Sequence, residues 1–287
     1  MTRELRAGFD RVVRTAALGV LFRDAIDQRV VADGLSVELS DGWRPQAAGL
    51  RLAANRSGVF VAHRLPGRGP SGAAETVSPP ADAPGRWRLS VRDAAGRYLP
   101  LRLALDAIDL TATGWVEPMC LPADSPPGRD AHVPLYSAPA RPLAGAGMAV
   151  LRAELRLASN PAQPARWAWV EMRLDGEPIA SGIADARGAL LLACPQPPPR
   201  ERALRSSPAM APSPQPGGAG WQVSLHARWH VARLAEDVPE LCDVRSQPAV
   251  DLLARLTPPV PLGDVTLAAG ETARVASAGS SFLYVAA

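Results

Sequence analysis

The sequence contains no lysine: all 31 basic residues are arginine, and asparagine occurs only at Asn55 and Asn160. A GC-rich genome is the simplest explanation of this usage, and a dedicated arginine-based binding surface is the alternative. The net charge is only +3, and no two arginines are adjacent in the chain. Because a nucleic-acid interface requires a basic patch or stripe, the sequence does not predict nucleic-acid binding.

Cysteine and long hydrophobic runs are also scarce. Cys120, Cys194 and Cys242 are odd in number and widely spaced, which argues against a disulfide framework and against metal-ligand spacing. No window approaches the roughly 18 apolar residues of a transmembrane helix, so we expect no membrane insertion. The first residues carry charges of both signs, and the apolar stretch 16–22 is too short for a signal peptide. We therefore expect synthesis in the cytoplasm without a signal peptide.

The four histidines form no recognisable site. His226 and His230 fall on the same face of a predicted strand, but four extended residues separate them by roughly 13 Å, which is too far to share one metal ion. His63 and His132 have no acidic or cysteine neighbour that suggests a ligand set. We interpret all four as solvated polar residues.

The acidic residues give no clear site either. Asp106 and Asp109 fit an ordinary transition from strand to loop, and Asp24, Asp27 and Asp33 lack the dense spacing of calcium-binding loops. The sequence also lacks a nucleophile elbow and a glycine-rich phosphate loop. It therefore predicts no catalytic residue, no metal ligand and no cofactor, and hence a protein that is not an enzyme.

Tryptophan is unusually frequent, with seven residues beside four phenylalanines and three tyrosines. Trp167 and Trp169 share one face of a predicted strand, and so do Trp221 and Trp229. Packing in a β-sandwich core is the simplest interpretation. Carbohydrate stacking and a protein–protein contact surface are the alternatives.

Short alternating segments predict a mostly-β protein. Apolar and polar residues alternate at residues 35–40, 87–92 and 221–231. Further strands of similar length are predicted at residues 98–105, 149–157 and 167–174. Shorter strands are predicted at residues 59–61, 265–267, 272–276 and 282–285. Strands of about six residues separated by turns are typical of antiparallel β-sandwiches. The segment 248–256 predicts a short helix, with proline near its first turn.

Composition divides the chain into two tandem β-sandwich modules. Residues 20–116 form the first predicted module and residues 148–287 the second. Between them, the proline-rich segment 117–147 is interpreted as a connector that lies on both modules, because proline withholds a backbone donor. Residues 195–220 are predicted to be a mobile proline-rich loop, and residues 1–19 a tail or short helix.

A repeated turn supports the tandem arrangement. Asn55 and Gly58 precede an apolar run, and Asp185 and Gly188 precede another about 130 residues later. In both, the side-chain oxygen closes the turn and glycine tolerates positive φ. Each turn also follows a predicted strand that ends in Asp-Gly, at residues 41–42 and 175–176, which is a strong hairpin signal.

These turns, with their preceding Asp-Gly pairs, resemble those of carboxypeptidase regulatory-like (transthyretin-like) domains, which are seven-stranded sandwiches. A longer pattern resembles proteins that accompany gene clusters of phage-tail-like, extracellular contractile injection systems. That pattern consists of Phe22, residues 31–35, residues 55–60, residues 65–67 and residues 133–139. The second resemblance implies a structural role in a particle and provides no catalytic residues to transfer.

The expected function is therefore a non-enzymatic structural or adaptor component of a contractile tail-like particle, present in several copies. Its implied partners are protein components of that particle, such as tube, baseplate or sheath, and the resemblance implies assembly in the cytoplasm before release from the cell. The alternative is a ligand-binding module, for example one that binds carbohydrate through paired tryptophans.

Overall fold

The computed structural model describes residues 16, 18–42, 48–66, 87–105, 132–143, 147–195, 220–235, 237–268 and 270–286. The predicted N-terminal tail lies almost entirely outside these residues. So do most of the predicted loop 195–220, part of the connector, and both Asp106 and Asp109.

The first sheet has six strands in the order β1-β5-β4-β3-β6-β7, all antiparallel. These strands are β1 (Leu18–Val20), β3 (Leu35–Asp41), β4 (Leu50–Ala54), β5 (Phe60–Ala62), β6 (Trp87–Asp93) and β7 (Leu101–Leu105). Buried apolar residues alternate with outward polar ones along β6 and β7. One face of this sheet therefore lies on the core and the other faces solvent, as the alternation in the sequence predicts.

The second sheet is larger and mixed. Its main path is β11-β10-β13-β14-β18-β9-β12, and three short strands pair with its members. The strands are β9 (Met148–Leu157), β10 (Trp169–Leu174), β11 (Glu177–Ile183), β12 (Ala189–Pro195), β13 (Trp221–Arg228), β14 (Ala249–Arg255), β15 (Val260–Pro261), β16 (Val265–Leu267), β17 (Thr272–Arg274) and β18 (Leu283–Ala286). The chain pairs β17 and β18 in parallel with β9. β11 and β12 are the two ends of the main path. They nevertheless lie next to each other, since a Cβ added to Gly182 of β11 would be 2.9 Å from the Leu191 carbonyl oxygen of β12. The sheet therefore curls around its own core.

These two sheets confirm the prediction of a mostly-β protein built from β-sandwich modules. The predicted module boundaries stay a prediction. Part of the predicted connector forms β8 (Val133–Leu135), which pairs in parallel with β2 (Phe22–Asp24). Proline at position 134 is compatible with this role, because the parallel pair has only two strands and leaves β8 at an edge.

The core of the first sheet is completed by residues of the second module. Its buried cluster includes β2 and β8 together with five residues from further along the chain: Trp167, Trp169, Ile183, Leu241 and Val244. The Tyr136 ring meets the Trp169 ring edge to face, with 5.2 Å between the centroids. A separate cluster fills the curled second sheet. The two modules thus share one continuous apolar contact.

The first repeated turn has the predicted geometry. Asn55 Oδ1 accepts hydrogen bonds from the N–H groups of Ser57 at 2.9 Å and of Val59 at 3.0 Å. Gly58 has a φ of 79° and donates its N–H to the Asn55 carbonyl oxygen at 3.0 Å.

The second turn repeats these contacts. Asp185 Oδ1 accepts from Arg187 N–H at 2.8 Å and from Ala189 N–H at 2.9 Å, and Gly188 has a φ of 81°. The following strands pair differently, however: β5 joins β4 and β1, whereas β12 joins β9. The local repeat is confirmed, and superposition of the whole modules stays a prediction.

The predicted helix at residues 248–256 is wrong, because this segment forms strand β14. Alanine, leucine and arginine favour helix in isolation, but here β13 and β18 pair with the two edges of the segment. Tertiary pairing outweighs an intrinsic preference of tenths of a kcal/mol per residue. Trp167 also departs from its predicted strand, since its φ is 60° and β10 begins at Trp169.

One short α-helix lies at the junction of the modules: α1 (Leu241–Arg245). Cys242 in its first turn is disulfide-bonded, whereas Cys194 is a free, buried thiol. The widely spaced cysteines did not predict this bond. In the part of the chain that the structure describes, no helix is long and apolar enough to span a membrane.

Candidate functional sites

A polar groove of about 360 Å³ crosses the outer face of β10, β13 and β14. Its polar and charged lining residues are Glu171, Arg173, Ser224, His226, Arg228 and Asp251. They lie there because β10 and β13 present alternate residues outward. Antiparallel register also places Glu171 opposite His226 and Arg173 opposite Ser224.

The most reactive pair in the groove is Ser224 and His226. The Ser224 hydroxyl lies 3.1 Å from His226 Nε2, within hydrogen-bond distance. Nucleophilic catalysis also requires a group that orients the histidine and donors that stabilise an oxyanion. Glu171 instead accepts a hydrogen bond from Arg173 Nε at 2.5 Å. Among the described contacts, neither Glu171 nor Asp251 bonds to His226. The charged and polar lining of the groove suits binding of a small polar molecule.

A buried ion pair joins the connector to the first module. Arg141 Nη2 lies 2.5 Å from Asp24 Oδ2, and the two side chains are 16% and 2% exposed. The Tyr98 hydroxyl donates to the same carboxylate at 2.8 Å, and Ile26 N–H donates to its other oxygen at 2.8 Å. Arg141 also lies over the Tyr98 ring, 4.8 Å from its centroid. We call Asp24, Tyr98 and Arg141 the connector clasp.

The electrostatics of the clasp favour the ionised aspartate. Burial alone would raise the pKa of Asp24, but hydrogen bonds from Arg141, Ile26 and Tyr98, with the attraction of the guanidinium, hold it below its usual 3.8. Burial, and then the hydrogen bond to Asp24 and its charge, raise the pKa of Tyr98 to about 12. Hydrogen bonds also link the clasp to the second module. The guanidinium of Arg152 in β9 donates to the carbonyl oxygens of Pro139 and Arg141 in the connector.

Glu240 forms a second joint between the modules. One carboxylate oxygen accepts from Ala104 N–H of β7 at 2.8 Å, and the other caps α1 by accepting from Cys242 N–H at 2.8 Å and Asp243 N–H at 3.2 Å. Burial raises the pKa of Glu240, although these backbone donors oppose the shift. The preceding carbonyl of Pro239 accepts from Arg102 N–H at 2.9 Å. The outer edge of β7 is thus covered by the second module.

The structure does not bring the predicted candidate ligands together. Asp24 belongs to the clasp, Asp27 pairs with Arg29 at 3.2 Å, and Asp33 is exposed. These three aspartates are therefore not arranged around a common ion. Within the described residues, no group of three histidine, cysteine or acidic side chains is placed to hold a metal.

The histidines are likewise separate. His226 lines the groove, whereas His230 accepts a hydrogen bond from Ala232 N–H at 3.1 Å and lies beyond the end of β13. His63 is exposed and His132 is half-buried. Sequence reasoning noted His226 but missed its contact with Ser224. The alternation of residues 224 and 226 on one strand face was the available signal.

The tryptophans are core residues wherever the structure describes them. Trp87, Trp167, Trp169 and Trp229 are buried, and Trp221 is half-buried. Two of the indole N–H groups donate hydrogen bonds to backbone oxygens: Trp229 Nε1 to the Arg166 carbonyl and Trp87 Nε1 to the Pro66 carbonyl. The interpretation as core packing is confirmed for these five residues.

Comparison with known proteins adds little to this geometry. No protein-family model and no curated protein matches the chain. The solved structure of the Bacillus anthracis TIE protein is a weak structural neighbour, with 9% identity and a TM-score of 0.23 over 93% of this chain. The chain spans about a third of that structure's length, since the match covers 34% of it.

Proposed function

We propose that the protein is a non-enzymatic structural or adaptor component of a contractile tail-like injection particle. In this proposal it docks in several copies to tube, baseplate or sheath proteins. The particle is assembled in the cytoplasm and then released. The resemblance of residues 55–60, 65–67 and 133–139 to proteins encoded beside such systems motivates the choice of particle.

The observation that best supports a structural role is the continuous core between the modules. Trp167, Trp169 and Leu241 of the second module are buried against the first, and the connector clasp fixes the chain between them. A structural component that sets the spacing between its neighbours in a particle requires a rigid arrangement of its domains. Domains without a large apolar interface move relative to each other by default.

Co-sedimentation tests this proposal. The tagged protein, expressed in its native host, is expected to sediment with a large particle and to cross-link to tube, baseplate or sheath proteins. Deletion of its gene is expected to impair particle assembly. His226→Ala and His230→Ala variants are expected to restore assembly fully. A protein that sediments only as a monomer, with intact particles in its absence, would refute the proposal.

A ligand-binding module is the second candidate, and the polar groove on β10, β13 and β14 favours it. Its charged side chains suit a small polar ligand, but Trp169 at its end is only 7% exposed and cannot offer a ring face for carbohydrate stacking. Soluble mono- and oligosaccharides can be screened by calorimetry. Tight binding that Glu171→Gln abolishes would favour this candidate.

A further inference from the structure

The solvent face of the six-stranded sheet collects arginines that are far apart in the sequence. The exposed charged residues on this face are Arg51 of β4, Glu38 of β3, Arg88 and Arg92 of β6, and Arg102 of β7. Arg51, Glu38, Ser90 and Arg102 lie opposite one another across the four strands, and Arg88 and Arg92 are two residues from Ser90, so all five charged side chains project from the same side of the sheet. Within the described part of these four strands, four cations therefore share this face with one anion.

Three of these arginines are neighbours. Arg102 lies directly opposite Ser90, and Arg88 and Arg92 lie two residues to either side of Ser90. Diagonal neighbours on an antiparallel pair are about 7–8 Å apart, which is within reach of long side chains. Arg88, Arg92 and Arg102 thus surround the Ser90 hydroxyl, and we call them the arginine triangle.

Among the described residues of β3, β4, β6 and β7, Glu38 is the one acid that projects from this face. Glu38 lies opposite both Arg51 and Ser90, and therefore diagonally from Arg88 and Arg92. Its carboxylate, however, lies on the far side, against Gly49 next to β4, where a Cβ added to Gly49 would collide with Glu38 Oε1. Glu240 lies beside Arg102 across the sheet edge, but its carboxylate oxygens are bonded to backbone N–H groups.

The ion pairs between described residues leave the triangle out. They join arginines 29, 97, 141, 156 and 173 to nearby acids. Like charges that are neighbours on an exposed sheet face repel one another weakly. An anionic partner would relieve that repulsion.

We propose that this face binds an acidic segment of a partner protein, with the arginine triangle contacting its carboxylates. The planar guanidinium fork matches a carboxylate with two parallel hydrogen bonds. The inference rests on the proposed function only in assuming that the chain docks to other proteins. It does not depend on which particle contains them.

The same face is poorly suited to nucleic acid. The outward residues of β3, β4, β6 and β7 are serine, alanine, arginine and glutamate, so these strands offer no aromatic ring for base stacking on this face. The affinity of a protein for nucleic acid comes largely from the number of phosphates that it neutralises, and a triangle of three arginines can neutralise few. The net charge of +3 adds little long-range attraction.

The experiment measures binding of a fluorescently labelled polyglutamate peptide to the full chain by anisotropy. The test variant is the triple Arg88→Gln, Arg92→Gln and Arg102→Gln. The matched control removes three exposed arginines of the second module: Arg187→Gln, Arg255→Gln and Arg274→Gln. The wild type should bind, and added salt should weaken binding. The test variant should bind at least about tenfold more weakly, and the control should stay within about twofold of the wild type.

Three outcomes would overturn the inference: no binding by the wild type, equal loss in both triple variants, or tighter binding of single-stranded DNA of matched charge. Because all six positions are exposed, both variants should melt like the wild type. If the test variant does not fold, Arg102→Lys replaces it. This variant keeps the charge, loses the planar fork, and should bind more weakly than the wild type. None of these readouts involves a particle, so they fail or succeed independently of the proposed function.

Discussion

At the scale of single residues, three glycines in similar turns differ in their surroundings. Gly58, Gly96 and Gly188 all have positive φ. A Cβ at Gly96 would meet nothing within 4 Å, one at Gly58 would lie 2.7 Å from the Val30 side chain, and one at Gly188 would collide with the Leu155 carbonyl oxygen. Val30 is exposed and can move, whereas the carbonyl of β9 is fixed in the sheet.

We therefore expect a graded loss of stability. Gly96→Ala should lower the free energy of unfolding by about 1–2 kcal/mol, from backbone strain alone. Gly188→Ala should lower the free energy of unfolding by more than Gly96→Ala does, because its Cβ also clashes with the backbone. Gly58→Val should lower it by at least about 1 kcal/mol. Urea denaturation of the three variants measures these losses in the free energy of unfolding. Equal losses at Gly96 and Gly188 would contradict the packing described around the second turn.

Cys194 illustrates how burial controls reactivity. Its side chain is 1% exposed, and burial raises the pKa of the thiol to about 11. Since the thiolate is the reactive species, iodoacetamide should modify Cys194 very slowly in the native protein at neutral pH. Modification should become rapid in denaturing urea, which serves as the control. Rapid labelling of the native protein, located by peptide mass mapping, would show that this part of β12 opens readily.

At the scale of elements, the connector clasp should contribute measurably to stability. Arg141→Met leaves the buried Asp24 carboxylate without its cation, and we expect a loss of about 3 kcal/mol. Arg29→Met is the matched control, because Arg29 pairs with Asp27 at the surface, where the side chains are 83% and 36% exposed. That variant should lose less than about 1 kcal/mol. Similar losses in the two variants would mean that the clasp does not hold the connector.

The clasp also predicts a pH dependence. Because the pKa of Asp24 is lower in the folded state than its usual 3.8, the ionised carboxylate stabilises the protein above that value. The contribution is lost as the pH falls through the folded pKa. Asp24→Asn should therefore be less stable than the wild type at neutral pH, and the difference should shrink below about pH 3.8. Thermal melts across this range test the sign; a constant difference would contradict it.

Strands and turns that a short stretch of sequence determines could be predicted from the sequence. Elements that depend on pairing with strands distant in the sequence could not. Strict alternation identified β3 and β6, and a side-chain oxygen followed by glycine identified both turns. The segment 249–255 has a helix-favouring composition and becomes a strand only because β13 and β18 pair with it. The arginine triangle depends on the register between β6 and β7, so a search for runs of basic residues could not reveal it.

At the scale of the whole molecule, the interface between the modules combines apolar and polar contacts. Trp169 packs on Tyr136 of the connector, and Arg245 of α1 lies over the Trp169 ring at 5.3 Å. Buried Gln247 donates to the carbonyl oxygen of Trp167 at 3.0 Å and accepts from His230 N–H at 2.9 Å. Apart from Tyr136, these residues come from separate parts of the second module: β10, α1 and the loops before and after them. Trp167 and Trp169 pack with residues of the first sheet in one buried cluster. Neither module can therefore lose its fold without exposing surface that the other buries.

This shared core predicts a single cooperative unfolding transition. Trp169→Ala, in the second module, and Leu103→Ala, in the first sheet, should each lower the free energy of unfolding by about 2–5 kcal/mol. Both should shift the same calorimetric transition, and the calorimetric and van't Hoff enthalpies should agree. If the modules were independent, each variant would shift one of two transitions and leave the other unchanged. That result would show that the contact of Trp169 with the first core contributes little, and that the modules can move separately within any assembly that contains them.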